Sequence, residues 1–152
     1  MAGTDDVEIL LVEDNEADAE LTLRSLRKNR LAKRVQVARD GAEALDFVFC
    51  QGAFEGRDFH ARPRLMLVDL KLPKVNGLEV IRAVKEDPRT KSIPMVILTS
   101  SREEVDLKRS YQLGVNSYLQ KPVEYERFQE VVRDLGSYWM QINIAPPKSA
   151  SA

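Results

Sequence analysis

A chain of 152 residues is long enough to bury one substantial core and short for two. With 23 Lys plus Arg against 24 Asp plus Glu the net charge is −1, which gives no electrostatic case for nucleic acid or a membrane surface. No apolar run approaches the roughly 20 residues of a membrane-spanning helix.

Met1 to Asp6 lacks the basic-then-apolar order of a secretory signal, and the single cysteine, Cys50, excludes an internal disulfide, so a reducing cytoplasm is expected. His60 is the only histidine, which leaves no zinc-ligand cluster. In chain order, Glu8-Ile9-Leu10-Leu11-Val12 is a first apolar run ending in Glu13-Asp14-Asn15. A helix follows, with Ala19, Leu23 and Leu26 on one stripe and charges opposite. Arg34-Val35-Gln36-Val37-Ala38 alternates and suits a strand at a sheet edge. Asp40-Gly41-Ala42-Glu43 opens a second helix, with Ala44, Leu45, Val48 and Phe49 as its buried face and Cys50 packed beside them. Gln51 to Pro63 is a loop longer than the usual roughly 2–6 residues, with His60 expected at its surface.

Leu65-Met66-Leu67-Val68 is an all-apolar run that ends abruptly in Asp69, as fits a strand buried on both faces of a parallel sheet. Asn76-Gly77-Leu78-Glu79 opens a third helix, closed by Asp87-Pro88. Ile93 to Thr99 is a fourth buried run, ending in a hydroxyl. Ser101-Arg102-Glu103-Glu104 reads as a capping box for a helix that stops near Gly114. Ser117 to Lys121 is a shorter fifth strand ended by Pro122. The last helix carries Phe128, Val131, Val132, Leu135, Tyr138 and Trp139 on one stripe and is ended by Pro146-Pro147. The pattern is βα five times over, an α/β chain with a parallel sheet, helices on both faces and right-handed crossovers. One domain over 7–145 is expected, with 1–6 and 146–152 as flexible termini.

The inner strand ends carry Glu13-Asp14, Asp69, Thr99 and Lys121, and in a parallel sheet those ends converge at one edge. Each has a plainer reading alone. Glu13-Asp14 complements a helix dipole, Asp69 starts a loop, Thr99 caps a strand and Lys121 is a solvated charge. Their joint placement favours one pocket holding three carboxylates, a hydroxyl and an ammonium. Three carboxylates together resist ionising, and a hard divalent cation such as Mg²⁺ resolves the repulsion. The lysine and hydroxyl suit the remaining oxygens of a phosphoryl group, toward which a carboxylate can act as nucleophile.

These residues resemble the receiver domains of two-component response regulators, over about Glu8 to Leu135. The likeness rests on Ile9 to Asn15, Leu67 to Gly77, Val96 to Ser100 and Ser117 to Pro122, in this order and spacing. It implies a flavodoxin-like (βα)5 doubly wound sheet with strand order 2-1-3-4-5. It implies a phosphoacceptor switch rather than an enzyme in the ordinary sense, taking a phosphoryl group on Asp69 from a phosphohistidine of a kinase. Asp14, Asp69 and the backbone carbonyl of Lys71 would hold Mg²⁺ directly. Glu13, where the family more often has Asp, would hold a metal-bound water. Lys121, Thr99 and Ser100 would bind phosphoryl oxygens. Thr99 and Tyr118 would move as the switch, changing the face of the fourth helix, fifth strand and fifth helix. Lys71 and Ser101, two residues after Asp69 and Thr99, would tune loss of the phosphoryl group. The Lys121-Pro122 bond would be cis.

Only about a dozen residues follow the last core helix, so a stand-alone receiver is expected, with no DNA-binding module. The long loop and the end Tyr138 to Pro147 resemble the small receivers that partner bacterial and cyanobacterial phytochrome kinases. A homodimer through the fourth helix, fifth strand, fifth helix and this extension is expected, with intramolecular packing of Trp139, Ile142 and Ile144 as the alternative. The basic cluster Arg24, Arg27, Lys28, Arg30, Lys33, Arg34 is a solvated face or a kinase-docking side. Three other readings compete. A receiver-like module that is never phosphorylated would lack part of the acid–lysine set. An aspartyl-phosphate phosphatase would place a second acid after Asp69, where Leu70-Lys71 stands. A flavin carrier would need a glycine- and hydroxyl-rich loop where Glu13-Asp14-Asn15 stands.

Overall fold

The computed structural model describes residues 5–147. The tail reading of Lys148 to Ala152 and the terminal reading of Met1 to Thr4 lie outside them. Five strands and five helices alternate: β1 Ile9–Val12, α1 Glu16–Lys28, β2 Val35–Ala38, α2 Gly41–Val48, β3 Leu65–Val68, α3 Gly77–Glu86, β4 Met95–Thr99, α4 Glu104–Leu113, β5 Ser117–Gln120 and α5 Tyr125–Ser137. All strand pairs are parallel, in the order β2-β1-β3-β4-β5 that the resemblance implied.

Alternation of side chains across the sheet divides the core into two layers. Leu10, Val12, Met66, Val68, Met95 and Ile97 face α2 and α3, meeting Ala44, Phe47, Val80 and Ile81. Ile9, Leu11, Leu65, Leu67, Val96 and Leu98 face α1 and α5, meeting Leu26, Phe128, Val132 and Leu135. Burial of each such side chain is worth about 1.5–3 kcal/mol, which fixes the register of the inner strands.

Local chemistry sets the helix starts. Asn15, Asp40 and Asn76 cap α1, α2 and α3, each accepting from the backbone N–H three residues on. Gly114 ends α4 in the left-handed conformation at φ 105°, a place that favours glycine. The capping-box reading at Ser101 is corrected: α4 starts at Glu104, and Ser101 Oγ instead donates to Asp106 at 2.7 Å. The buried face of α2 also differs from expectation. Phe47 is fully buried, while Leu45 and Phe49 pack only partly. Cys50 lies past that helix at φ 55° rather than on its face.

The loop after α2 contains a 3₁₀ turn over Gly52–Phe54 and a buried arginine. The Arg57 guanidinium stacks 3.8 Å from the Phe47 ring centroid and donates to the carbonyls of Phe47 and Ala61 and to Cys50 Sγ. Nothing in the sequence pattern singled it out. His60 is exposed, as expected. At the other end, α5 passes into a π turn over Tyr138–Ile142, so regular helix stops before Pro146. Trp139 and Met140 pack into the core, Arg64 donates to the Met140 carbonyl at 3.0 Å, and Ile142 and Ile144 are exposed.

Candidate functional site

The register of the inner strands assembles the site. Val12 pairs with Val68, so Glu13 and Asp69 leave β1 and β3 side by side. Thr99 ends β4 opposite Gln120, and the Lys121 N–H donates to the Thr99 carbonyl at 2.7 Å. The loop after Asp69 is held from below by α3. A Cβ on Gly77 would lie 2.4 Å from the Asp69 carbonyl oxygen, so only glycine admits that approach. The Gly77 N–H donates to the Leu70 carbonyl at 2.9 Å.

Asp69 is the hub. Its Oδ1 accepts from the Thr99 hydroxyl at 2.7 Å and, at 3.3 Å, from the Lys71 N–H, while Oδ2 accepts from Lys121 Nζ at 2.7 Å. Lys121 also reaches Glu13 at 2.8 Å and Asp18 at 2.8 Å. An ammonium has three N–H donors, and these three carboxylates occupy them. Burial raises the Glu13 carboxyl, against the lowering effect of Lys121 and with help from the Asp69 charge, to about 7. Burial also works to raise Asp69, but its bonds from Lys121 and Thr99 outweigh this and leave it below the usual carboxylate range. Burial works to lower Lys121, and its bonds to Asp18, Asp69 and Glu13 reverse this and hold it charged.

Asp14 is exposed at the mouth. One carboxylate oxygen each from Glu13, Asp14 and Asp69 lies within 4.8 Å of the others. An all-oxygen set of three acids fits a hard divalent cation, which would neutralise charge that Lys121 alone cannot balance.

The other expected residues ring this hub. Ser100 is exposed at the start of the β4–α4 loop, and Ser101 is buried, with its N–H directed at Thr99 Oγ1 over 3.4 Å. The Tyr118 ring is half-buried and its hydroxyl donates to the Ser101 carbonyl at 3.0 Å. The Lys71 side chain is exposed. No cis peptide bond occurs among the described residues, so the expectation of a cis bond before Pro122 is corrected. Lys121 meets its three acids through the trans bond, the isomer an X–Pro pair favours by about 0.5–1 kcal/mol. In the sequence Asp18 is one unremarked charge on the polar face of α1. Its position three residues after the cap Asn15 was the available signal, and nothing in it said which way the carboxylate turns.

Comparison with known proteins agrees with this geometry. The family model described as "Response regulator receiver domain" matches residues 9–133. The Probable methanogenesis regulatory protein FilR2 of Methanothrix harundinacea is 42% identical over 91% of this chain and 86% of its own. The response regulator Rcp1 of Synechocystis is 38% identical over 91% of this chain and 92% of its own. The crystal structure of the Mn²⁺-bound form of Rcp1 superposes with a TM-score of 0.85, covering 91% of this chain and 98% of that one. The bacteriophytochrome response regulator AtBRR is 53% identical, with a TM-score of 0.70 over 90% of this chain and 96% of that one.

Proposed function

The chain belongs to the response regulator receiver family, and on that premise we propose that Asp69 is its phosphoacceptor, served by a phytochrome-type histidine kinase. A phosphorylation-competent receiver needs a nucleophilic carboxylate, a divalent cation and a cation for the phosphoryl oxygens. The observation that carries the assignment is the convergence of Glu13, Asp14, Lys121 and Thr99 on Asp69. An Asp69 oxygen attacks phosphorus in line, an O–P bond forms, the P–N bond to the kinase histidine breaks, and the imidazole keeps the electron pair and takes up a proton. Glu13, Asp14, Asp69 and the Lys71 carbonyl would hold Mg²⁺, which would supply neutralisation of charge on the transferring group. Lys121 and the hydroxyls of Thr99 and Ser100 bind the phosphoryl oxygens once they arrive. The chain thereby catalyses its own phosphorylation and dephosphorylation and no other turnover.

A phytochrome kinase as donor is supported by the likeness to the bacteriophytochrome response regulator at 53% identity. A folding unit over 7–145, beyond the 9–133 of the family match, is supported by the burial of Trp139 and Met140. No helix among the described residues is long and apolar enough to cross a membrane, and a cytoplasmic kinase domain is the fitting partner.

The output is a homodimer through α4, β5, α5 and the extension. Every large apolar side chain exposed among the described residues lies between Val105 and Ile144 in the chain, with Val105, Val123, Ile142 and Ile144 the most open. Movement of Thr99 toward the phosphoryl group releases Tyr118 from the Ser101 carbonyl and reshapes this face.

Intact mass after incubation with Mg²⁺ and acetyl phosphate tests the acceptor. A single phosphoryl adduct on wild type and none on Asp69→Asn is expected, and stoichiometric labelling of Asp69→Asn sinks the assignment. Light scattering before and after reports whether the adduct drives dimerisation.

A further inference from the structure

Asp18 is the one carboxylate on Lys121 that neither bounds the three-acid cluster nor stands where a phosphoryl group would be accepted. It occupies the third position of α1, after the cap Asn15. An acid there ordinarily reaches back to the cap residue's own N–H. In this chain Glu13 Oε2 takes the Asn15 N–H at 3.2 Å, and Asp18 turns its carboxylate to Lys121 Nζ at 2.8 Å instead. The Asp18 N–H still bonds to Asn15 Oδ1 at 2.9 Å, and its carbonyl accepts from the Thr22 hydroxyl at 2.8 Å. Its backbone is therefore fixed at both ends, and the side chain is presented on rigid helix.

We propose that Asp18 is a positioning residue, the anchor that holds Lys121 in register while Glu13 and Asp69 change partners. This rests on the phosphoacceptor reading above. Lys121 is contested. A divalent cation draws on the oxygens of Glu13 and Asp69, and a phosphoryl group removes the Asp69 carboxylate as an ion-pair partner. Asp18 takes part in neither change, so its bond to the ammonium persists through both. It also draws the ammonium's charge away from the acids a cation needs. Without it, Lys121 bonds more strongly to Glu13 and Asp69 and competes with the cation.

The test is a double-mutant cycle read by calorimetric Mg²⁺ titration of the unphosphorylated protein. Asp18→Asn is expected to weaken Mg²⁺ binding about tenfold where Lys121 is present, in the middle of the range for contacting charged groups, and less than about threefold in a Lys121→Met background. Asp18→Glu restores most of the affinity, because it keeps the charge within reach of Nζ. A purely helical role for Asp18 would move thermal stability and leave the Mg²⁺ affinity and the coupling untouched. Equal losses in the two backgrounds, or none in either, overturn the anchor while leaving the acceptor assignment standing. A wild-type chain that binds no Mg²⁺ overturns that assignment and the anchor with it.

Discussion

β3 and β5 lie one strand apart in the same sheet, and they are built differently. Every residue of β3 is buried, while β5 carries three half-buried residues and an exposed one. The helices beside them repeat the contrast. α3 buries Gly77, Val80, Ile81 and Val84, whereas α4 buries only Ser110. The half of the molecule that carries the acids is over-determined by packing. The half expected to move is held by a few polar bonds, among them Tyr118 to the Ser101 carbonyl and Ser101 to Asp106. Chemistry needs its carboxylates fixed, and a switch needs an element with little to lose on shifting.

The widest test of that contrast is truncation on its rigid side. Leu67→Ala in β3 should cost about 2–5 kcal/mol of stability in chemical denaturation, because the site cannot collapse around the lost volume. Arg57→Ala should cost about 1–3 kcal/mol, since it removes the guanidinium's bonds to the carbonyls of Phe47 and Ala61 together with its stacking on the Phe47 ring.

A third test concerns the acids themselves. Glu13 binds a proton more strongly folded, near 7, than at its ordinary 4.5, so its contribution to metal-free stability falls as pH rises through that window. A cation needs the ionised form, so Mg²⁺ affinity should rise about tenfold between pH 6 and pH 8, read by titration at each pH. A flat profile would place Glu13 outside the metal site. Tyr118→Phe should cost about 0.5–1.5 kcal/mol and leave phosphorylation by acetyl phosphate intact, which separates the switch from the chemistry. Smallest of all, Leu107→Ala on exposed α4 should stay within about 0.5 kcal/mol in stability while weakening the proposed dimer, read by light scattering.

The sequence made the rigid half easier to read than the loose one, for a physical reason. Uniform apolar runs at β1, β3 and β4 mark strands buried on both faces, and their ends must converge, so the sequence pattern alone brings Glu13, Asp14, Asp69 and Thr99 to one edge, with Lys121 following the less regular β5. The β4–α4 loop was misread because Ser101 has two possible uses for one hydroxyl, and only the fold shows that Asp106 receives it. Arg57 and Asp18 were missed for a related reason. A charged residue in a loop or on a helix gives no periodic signal of the partner it will meet, and each is defined by groups distant in the chain: the Phe47 ring for one, Lys121 for the other.

Gly77 gives Asp69, the proposed acceptor, a second kind of vulnerability. All the groups expected to handle the phosphoryl group could be left in place and the site still be silenced, by one methyl group on the far side of the Asp69 peptide. Gly77→Ala would press on the Asp69 carbonyl and the Leu70 backbone from beneath. The Asp69 carboxylate would then be misaimed with its charge unaltered. Such a variant separates having the right atoms from having them at the right angle, a distinction that removing an acid never makes.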